Sequence, residues 1–307
     1  MEMRNVDLSI NFAGVTLKNP VVTVSGTCGF GQEYSPYYEA SDLGAIAVKG
    51  MTLAPRLGNP PPRIAETPSG ILNSIGLQNP GVEVFIDEDL PRLKKEGATV
   101  IANISGSTIA DYCKMAEKLS ETDVDFIEMN ISCPNVKEGG VAFGTNSKTI
   151  FEITSEVKKH SKKPVIVKLS PNVTDITEMA RAAEAGGANA LALINTLLGM
   201  RIDIKTKRPI LHNNVGGLSG PAVFPVAVRM VWQVRNAVDL PILGMGGIAS
   251  AEDAIEMLIA GADAVGVGTA MFPNPYLPME IIDGIADYME KNGIKNVADI
   301  SATVQPW

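Results

Sequence analysis

The sequence predicts an α/β protein: a (β/α)8 TIM barrel with an N-terminal hairpin and long βα loops at its C-terminal face, one domain over residues 1–307. Three observations carry this prediction. A short apolar, β-branched run, a polar or glycine-rich turn and an amphipathic stretch recur as one unit along the chain. The runs are apolar on both faces, as parallel strands covered by helices are. Eight such units in about 250 residues is the arithmetic of this barrel. A doubly wound open sheet is the competing architecture. It would ordinarily show a GxGxxG turn after its first strand, and Ser25-Gly26-Thr27-Cys28-Gly29 does not supply one.

The chain opens with a hairpin-like piece, VDLSINF then GVTL. Strands follow at Val21–Val24, Ala45–Val48, Thr99–Ile104 and Phe126–Met129, then at Val165–Leu169, Ala190–Ile194, Ile242–Leu243 and Ala264–Val267. A helical stretch is expected after each. The clearest are Thr108–Ser120, Ser147–His160, Thr174–Ala185, Pro221–Val238 and Ala251–Ile259, with Ser147 as an N-cap and Gly186 and Gly261 as stop signals. Two connections are too long for turns. Gly50 to Pro80 holds PRLGNPPPR and NSIGLQNPG, and Thr196 to Gly220 holds an alternating IDIKTKRPIL and then NNVGGLSG. Ordered loops of this length are usually lids or ligand loops, and both leave the C-terminal end of the barrel.

Composition sets the outer limits. With 45% apolar and 20% charged residues the chain can bury a sizeable core. A net charge of −8 argues against nucleic acid as a partner, because phosphate backbones need a basic face. A small anion remains possible, since a few lysines can override the mean field inside a pocket. No apolar run approaches bilayer length, and MEMRNVDLSINFAG lacks a signal-peptide pattern, so a cytoplasmic protein free of the membrane is expected. The three cysteines, Cys28, Cys113 and Cys133, form no CxxC pair. They fit a reducing compartment and are too few for a four-cysteine iron–sulfur cluster on this chain. No metal site is expected.

In such barrels the chemistry gathers where strands end at the C-terminal face. Those ends read Ser25-Gly26, Lys49-Gly50, Asn103, Asn130, Lys168, Asn195-Thr196, Gly246-Gly247 and Gly268-Thr269. The glycines of GMGGIAS and GVGTAMF open toward helices, and with Gly220 they suit a phosphate, because glycine lets backbone N–H groups approach an anion. Taken singly, each is an ordinary tight turn. Lys49 and Lys168 end apolar runs at equivalent places. Either could snorkel to water; together they suggest stabilisation of negative charge, such as that near N1 of a reduced flavin. A Schiff base on Lys168 is the rival chemistry. Asn73, Asn103, Asn130 and Asn195 can donate and accept, which suits a planar ring of alternating C=O and N–H groups, although asparagine is also common in turns.

NISCPN, residues 130–135, places a thiol just past one of these strand ends. The two histidines, His160 and His212, lie at a helix end and in a long loop, so a histidine base is poorly supported. Cys133 is then the best candidate proton acceptor, with an ordinary pKa of about 8.5 that neighbouring lysines could lower. The VKEGGVAFGTN segment after it, with Gly139 and Gly140, could close over the site. Cys113 reads as helix packing; Cys28 is left without a role.

KNPVVTVSGTCGFG, VKGMTL, NSIGLQNPG, NISCPN, INTLLGMRID, GGLSGPA, GMGGI and VGVGTAMF together resemble the dihydroorotate dehydrogenases, nearly end to end. The long loop after Asn195 most resembles the catalytic subunit of the NAD-linked class 1B. A cysteine at the base position, where the quinone-linked group has serine, agrees with that. The resemblance implies FMN-dependent oxidation of dihydroorotate to orotate in pyrimidine synthesis, with Cys133 taking the C5 proton and flavin N5 the C6 hydride. It implies that Ser25, Lys49, Gly50, Asn103, Asn130 and Lys168 hold FMN with Ile194, Gly220, Gly246, Gly247, Gly268 and Thr269. It implies substrate contacts from Lys49, Asn73, Ser74, Ile75, Gly76, Leu77, Asn130, Asn195 and Thr196. It also implies an electron-transfer subunit carrying FAD and a [2Fe-2S] cluster, around a homodimer of catalytic chains in a heterotetramer. The alternatives are another pyrimidine-acting flavoprotein, such as the reductase domain of dihydropyrimidine dehydrogenase, a flavin-free lyase or aldolase using Lys168, and a non-catalytic scaffold.

Overall fold

A computed structural model describes residues 6–131 and 143–307. The eight expected runs form β1 (Val21–Thr23), β2 (Ala45–Ala47), β3 (Val100–Ile104), β4 (Phe126–Asn130), β5 (Val165–Lys168), β6 (Ala190–Leu193), β7 (Ile242–Met245) and β8 (Ala264–Val267). They close into one barrel in chain order. Every pair is parallel, and β8 meets β1 with Val265 opposite Val21. Each strand is buried along its whole length, which is why the runs carry apolar residues on both faces rather than alternating.

Helices Ile109–Ser120, Ser147–His160, Ile176–Ala185, Phe224–Arg235, Ala251–Ala260 and Leu277–Asn292 follow β3 to β8. Three expectations are corrected. The cap before Ser147 is Asn146, whose Oδ1 accepts from the Thr149 N–H at 3.1 Å; Ser147 is the first helical residue and donates to Glu178. The helix expected over Pro221–Val238 begins as a 3-10 turn at Pro221–Val223 and ends at Arg235. No α-helix follows β1. Gly29 and Gly31 take positive φ, and Pro36 interrupts further, so that segment holds only the 3-10 turns Gln32–Tyr34 and Ala40–Asp42.

The opening piece is an antiparallel hairpin, Ile10–Phe12 with Val15–Leu17. It stops the N-terminal end of the barrel: buried Phe12 meets Phe126, the first residue of β4, edge-on at 5.9 Å. The same end carries a device used three times. The residue before an even-numbered strand accepts from the first N–H of the strand before it and from a cation on the helix that leads into that earlier strand. Asp125 Oδ2 takes Val100 N–H and Lys94, each at 2.7 Å. Asn189 Oδ1 takes Val165 N–H at 2.9 Å and Lys158 at 2.6 Å. Asp263 Oδ2 takes Ile242 N–H at 2.8 Å and Arg235. Each satisfies a ladder donor that would otherwise end unpaired.

The two long connections are joined to each other. Leu197–Gly199, Gly216–Ser219, Gly70–Asn73 and Ile64–Thr67 form one four-stranded antiparallel sheet, in that order, with Gly217 opposite Asn73 and Ser219 opposite Ile71. The IDIKTKRPIL alternation forms a small hairpin, Ile202–Asp203 with Arg208–Pro209. No helix among the described residues is long and apolar enough to cross a membrane.

Candidate functional site

Backbone ladders first fix where the strand ends stop. Beyond β2 the pairing with β3 continues: Met51 N–H donates to Asn103 O at 2.9 Å and Ser105 N–H to Met51 O at 2.8 Å. This holds Lys49 and Gly50 at a set height beside β3. On β4 and β5, Asn130 and Lys168 stand opposite one another in register. Alternation then aims Glu128 and Asn130 to the same face of β4.

A cavity of about 240 Å³ opens at the C-terminal face. From β1 and β2 it is lined by Ser25, Gly26, Lys49 and Gly50; from β4 and β5 by Asn130 and Lys168. The end of β6 adds Ile194, Asn195 and Thr196, and the turns after β7 and β8 add Gly246, Gly247, Gly268 and Thr269. The four-stranded sheet covers one side, through Asn73 of the first excursion and Ser219 and Gly220 of the second; Ile75, Gly76 and Leu77 follow from the first. Seven strand ends and two excursions thus meet at one place, with β3 set back.

Asn103 and Ser74 stand apart from the other expected site residues. Both are wholly buried and neither lines the cavity. Asn103 lies beneath Gly50, where a Cβ would come within 2.7 Å of its Oδ1, so only glycine lets the chain pass above it. Its Nδ2 donates to Glu128, while its Oδ1 has no hydrogen-bond partner among the described residues. Cys133, Gly139 and Gly140 lie outside the described residues. The described end of the expected closing segment, Phe143–Thr145, is a 3-10 turn, with Phe143 edge-on to Tyr112 at 6.1 Å.

The asparagines are cross-linked. Asn195 Nδ2 donates to Asn130 Oδ1 at 3.2 Å, and the Asn130 carbonyl is held from behind by Tyr112 Oη at 2.8 Å and Ser105 Oγ at 3.2 Å. Asn73 Nδ2 donates to Gly217 O at 3.4 Å, tying one excursion to the other. In the turns after β7 and β8, the backbone N–H groups of Gly247 and Thr269 donate to no described residue. Gly247 has φ +82°, and a Cβ there would meet Phe224 N at 2.7 Å, so the close turn demands glycine. Thr269 Oγ1 donates to Ser219 Oγ at 2.7 Å. The helix expected directly after Gly268 is a 3-10 turn, Thr269–Met271; the α-helix starts at Leu277. Two cations, a row of amides and two sets of unspent N–H donors make this cavity suited to a ligand bearing a phosphate and a polar planar ring.

Sequence reasoning missed Glu128, Asn172 and Ser219. Glu128 lay hidden in the run DFIEMN; an acid two residues before a strand-end asparagine was the available signal. Asn172 pins the start of the second excursion, donating to Thr196 O at 3.0 Å and accepting from Leu198 N–H at 2.9 Å.

The dihydroorotate dehydrogenase family profile matches residues 7–289. The chain belongs to the dihydroorotate dehydrogenase family. Among curated members it is 58% identical over 298 residues to a protein of Alkaliphilus oremlandii, covering 97% of this chain and 99% of the relative. It is 57% identical over 300 residues to one of Lachnoclostridium phytofermentans (98% and 100%), and 56% identical over 302 residues to one of Alkaliphilus metalliredigens (98% and 100%). All three are named dihydroorotate dehydrogenase B (NAD(+)), catalytic subunit. In this dihydroorotate dehydrogenase family member, Lys49 and Lys168 reach a common cavity from strands three places apart around the barrel, β2 and β5.

Proposed function

We propose that this chain is the catalytic subunit of an NAD-linked dihydroorotate dehydrogenase, oxidising dihydroorotate to orotate in pyrimidine biosynthesis with FMN as its bound cofactor. The observation that carries the reading is the convergence of two lysines and the strand-end amides Asn130 and Asn195 on one cavity, in a chain of this family.

The residues present fit FMN. The unspent N–H groups of Gly247 and Thr269, with Gly246, Gly268 and Gly220 beside them, suit its phosphate. Ser25, Gly50 and Ile194 would flank the ring system, and Asn103 would support it from beneath Gly50. Bound FMN supplies the acceptor for the hydride that leaves C6 of the substrate. Lys168, within a low-dielectric wall, offsets negative charge on the flavin side. Lys49 serves both ligands. Asn73, Asn130, Asn195 and Thr196 hold the C=O and N–H edges of the pyrimidine, with backbone contacts from the 74–77 segment. Cys133, three residues past Asn130 in sequence, takes the C5 proton. Splitting removal of the two hydrogens between a thiolate and the flavin needs no histidine, and the chain has only two.

The electrons then leave this chain. With three cysteines it has too few to hold a four-cysteine cluster alone, so a separate subunit bearing FAD and a [2Fe-2S] cluster carries them to NAD. Two catalytic chains pair at the centre of a heterotetramer in the cytoplasm.

The test is a substrate panel on purified protein. One FMN per chain and anaerobic bleaching by dihydroorotate, with no bleaching by dihydrouracil, supports the reading. A colourless protein that borohydride traps with a carbonyl substrate would replace it with the Lys168 lyase.

A further inference from the structure

Glu128 and Lys168 are the only charged side chains among the buried described residues. Glu128 sits inside the barrel wall on β4, wholly buried, beside Asn103 on β3 and two residues before Asn130, the register partner of Lys168. Its Oε2 accepts from Asn103 Nδ2 and lies 3.8 Å from Lys168 Nζ; its Oε1 has no partner among the described residues. A carboxylate in that position is costly to bury, and an apolar residue would serve packing better. Its geometry serves something else: one oxygen ties two side chains from the strands on either side.

We propose that Glu128 is a positioning residue for the cofactor, holding the Lys168 ammonium at the cavity floor and fixing the orientation of the Asn103 amide. The inference rests on the flavin reading above. Lysine is a point charge on a flexible four-carbon stem, and by itself it does not select one place in a polar cavity. Glu128 anchors the stem from below, so that the positive charge meets a reduced flavin at a fixed distance. Asn103, held by its Nδ2, keeps Oδ1 turned toward Gly50. Without the carboxylate, Lys168 loses its one ion-pair partner among the described residues and turns to other acceptors.

The experiment measures the midpoint potential and the affinity of bound FMN in the wild type, E128Q, K168M and the double variant. E128Q preserves shape and can still accept from Asn103, while removing the charge. The expected result is a tenfold weaker preference for reduced over oxidised flavin in E128Q, a fall of about 30 mV for a two-electron couple. K168M should show at least that loss, and the double variant should be no worse than K168M. An E128Q potential equal to wild type, or raised as loss of the carboxylate's own negative field would by itself raise it, would overturn the proposal, as would an E128Q loss that adds in full to that of K168M. E128D, which keeps the charge but shortens the reach, should fall between wild type and E128Q. If neither Glu128 variant folds, Glu128 serves the fold and the positioning role is rejected. A wild-type chain that takes up no flavin would instead defeat the functional reading itself.

Discussion

Asn195 and Asn130 hydrogen-bond side chain to side chain at 3.2 Å, joining the ends of β6 and β4 on one cavity wall. Each amide is thereby oriented by the other before any ligand arrives. Losing one partner of such a pair costs roughly 1–3 kcal/mol. Asn195→Ala should therefore raise KM for dihydroorotate about tenfold or more, with FMN content close to one per chain. Asn130→Ala should impair both, because Asn130 is also assigned to the flavin. Steady-state kinetics beside flavin absorbance separate the two effects.

The opposite end of the barrel should govern stability and leave chemistry alone. Asp263 Oδ2 caps the first N–H of β7 and pairs with Arg235. Asp263→Ala should lower unfolding free energy by about 1–3 kcal/mol, since a ladder donor and a guanidinium both lose their acceptor. Asp125→Ala should do the same through Val100 and Lys94. Urea titration checks the loss, and an unchanged KM checks its confinement to the N-terminal face.

Alkali should weaken the fold through Cys28. Burial pushes this thiol up to about 11, against the Thr23 hydroxyl, whose hydrogen bond to the thiolate pulls the other way. Because the folded chain holds the proton more tightly than the unfolded one, the contribution is complete below about pH 9. It is lost as pH rises from there through 11, by on the order of 2–3 kcal/mol. Tyr38 is raised as well, chiefly by burial and then by Cys28, so it adds in the same direction. Urea midpoints measured from pH 7 to 10.5 should fall, and Cys28→Ala should flatten part of that slope. The same burial should protect Cys28 from iodoacetamide at pH 8 until the protein unfolds.

The two excursions leave Leu57, Ile64, Leu198, Met200, Ile202 and Ile204 exposed. Exposed apolar side chains on these excursions make them the place to test the proposed pairing of catalytic chains. Leu198→Asp with Ile202→Asp should convert a dimer to a monomer by light scattering, with FMN still bound.

The barrel was legible because all eight strands are buried on both faces, leaving continuous apolar runs such as AIAVK and PVIVK. The pairing of the two excursions was not. Asn73 and Gly217 lie 144 residues apart, and no local pattern announces a register set by so distant a partner. The missing helix after β1 reflects Gly29, Gly31 and Pro36, whose breaking effect a repeating βα pattern overrode. In the site, lysines and amides at strand ends were visible because polar residues there interrupt apolar runs. Asn103 shows the limit of that logic: standing at a strand end does not place a side chain on the cavity when a neighbouring Gly50 crosses above it. Glu128 was concealed for the converse reason, as a charge inside a strand that only its two neighbours explain.

We propose that Cys133 accepts the C5 proton of dihydroorotate. Single-turnover anaerobic reduction of bound FMN by dihydroorotate, followed by flavin absorbance in wild type and Cys133→Ala, tests it most directly. The expected variant is yellow and binds dihydroorotate yet bleaches roughly a hundredfold or more slowly, the range of a lost general base. Bleaching at the wild-type rate would contradict it.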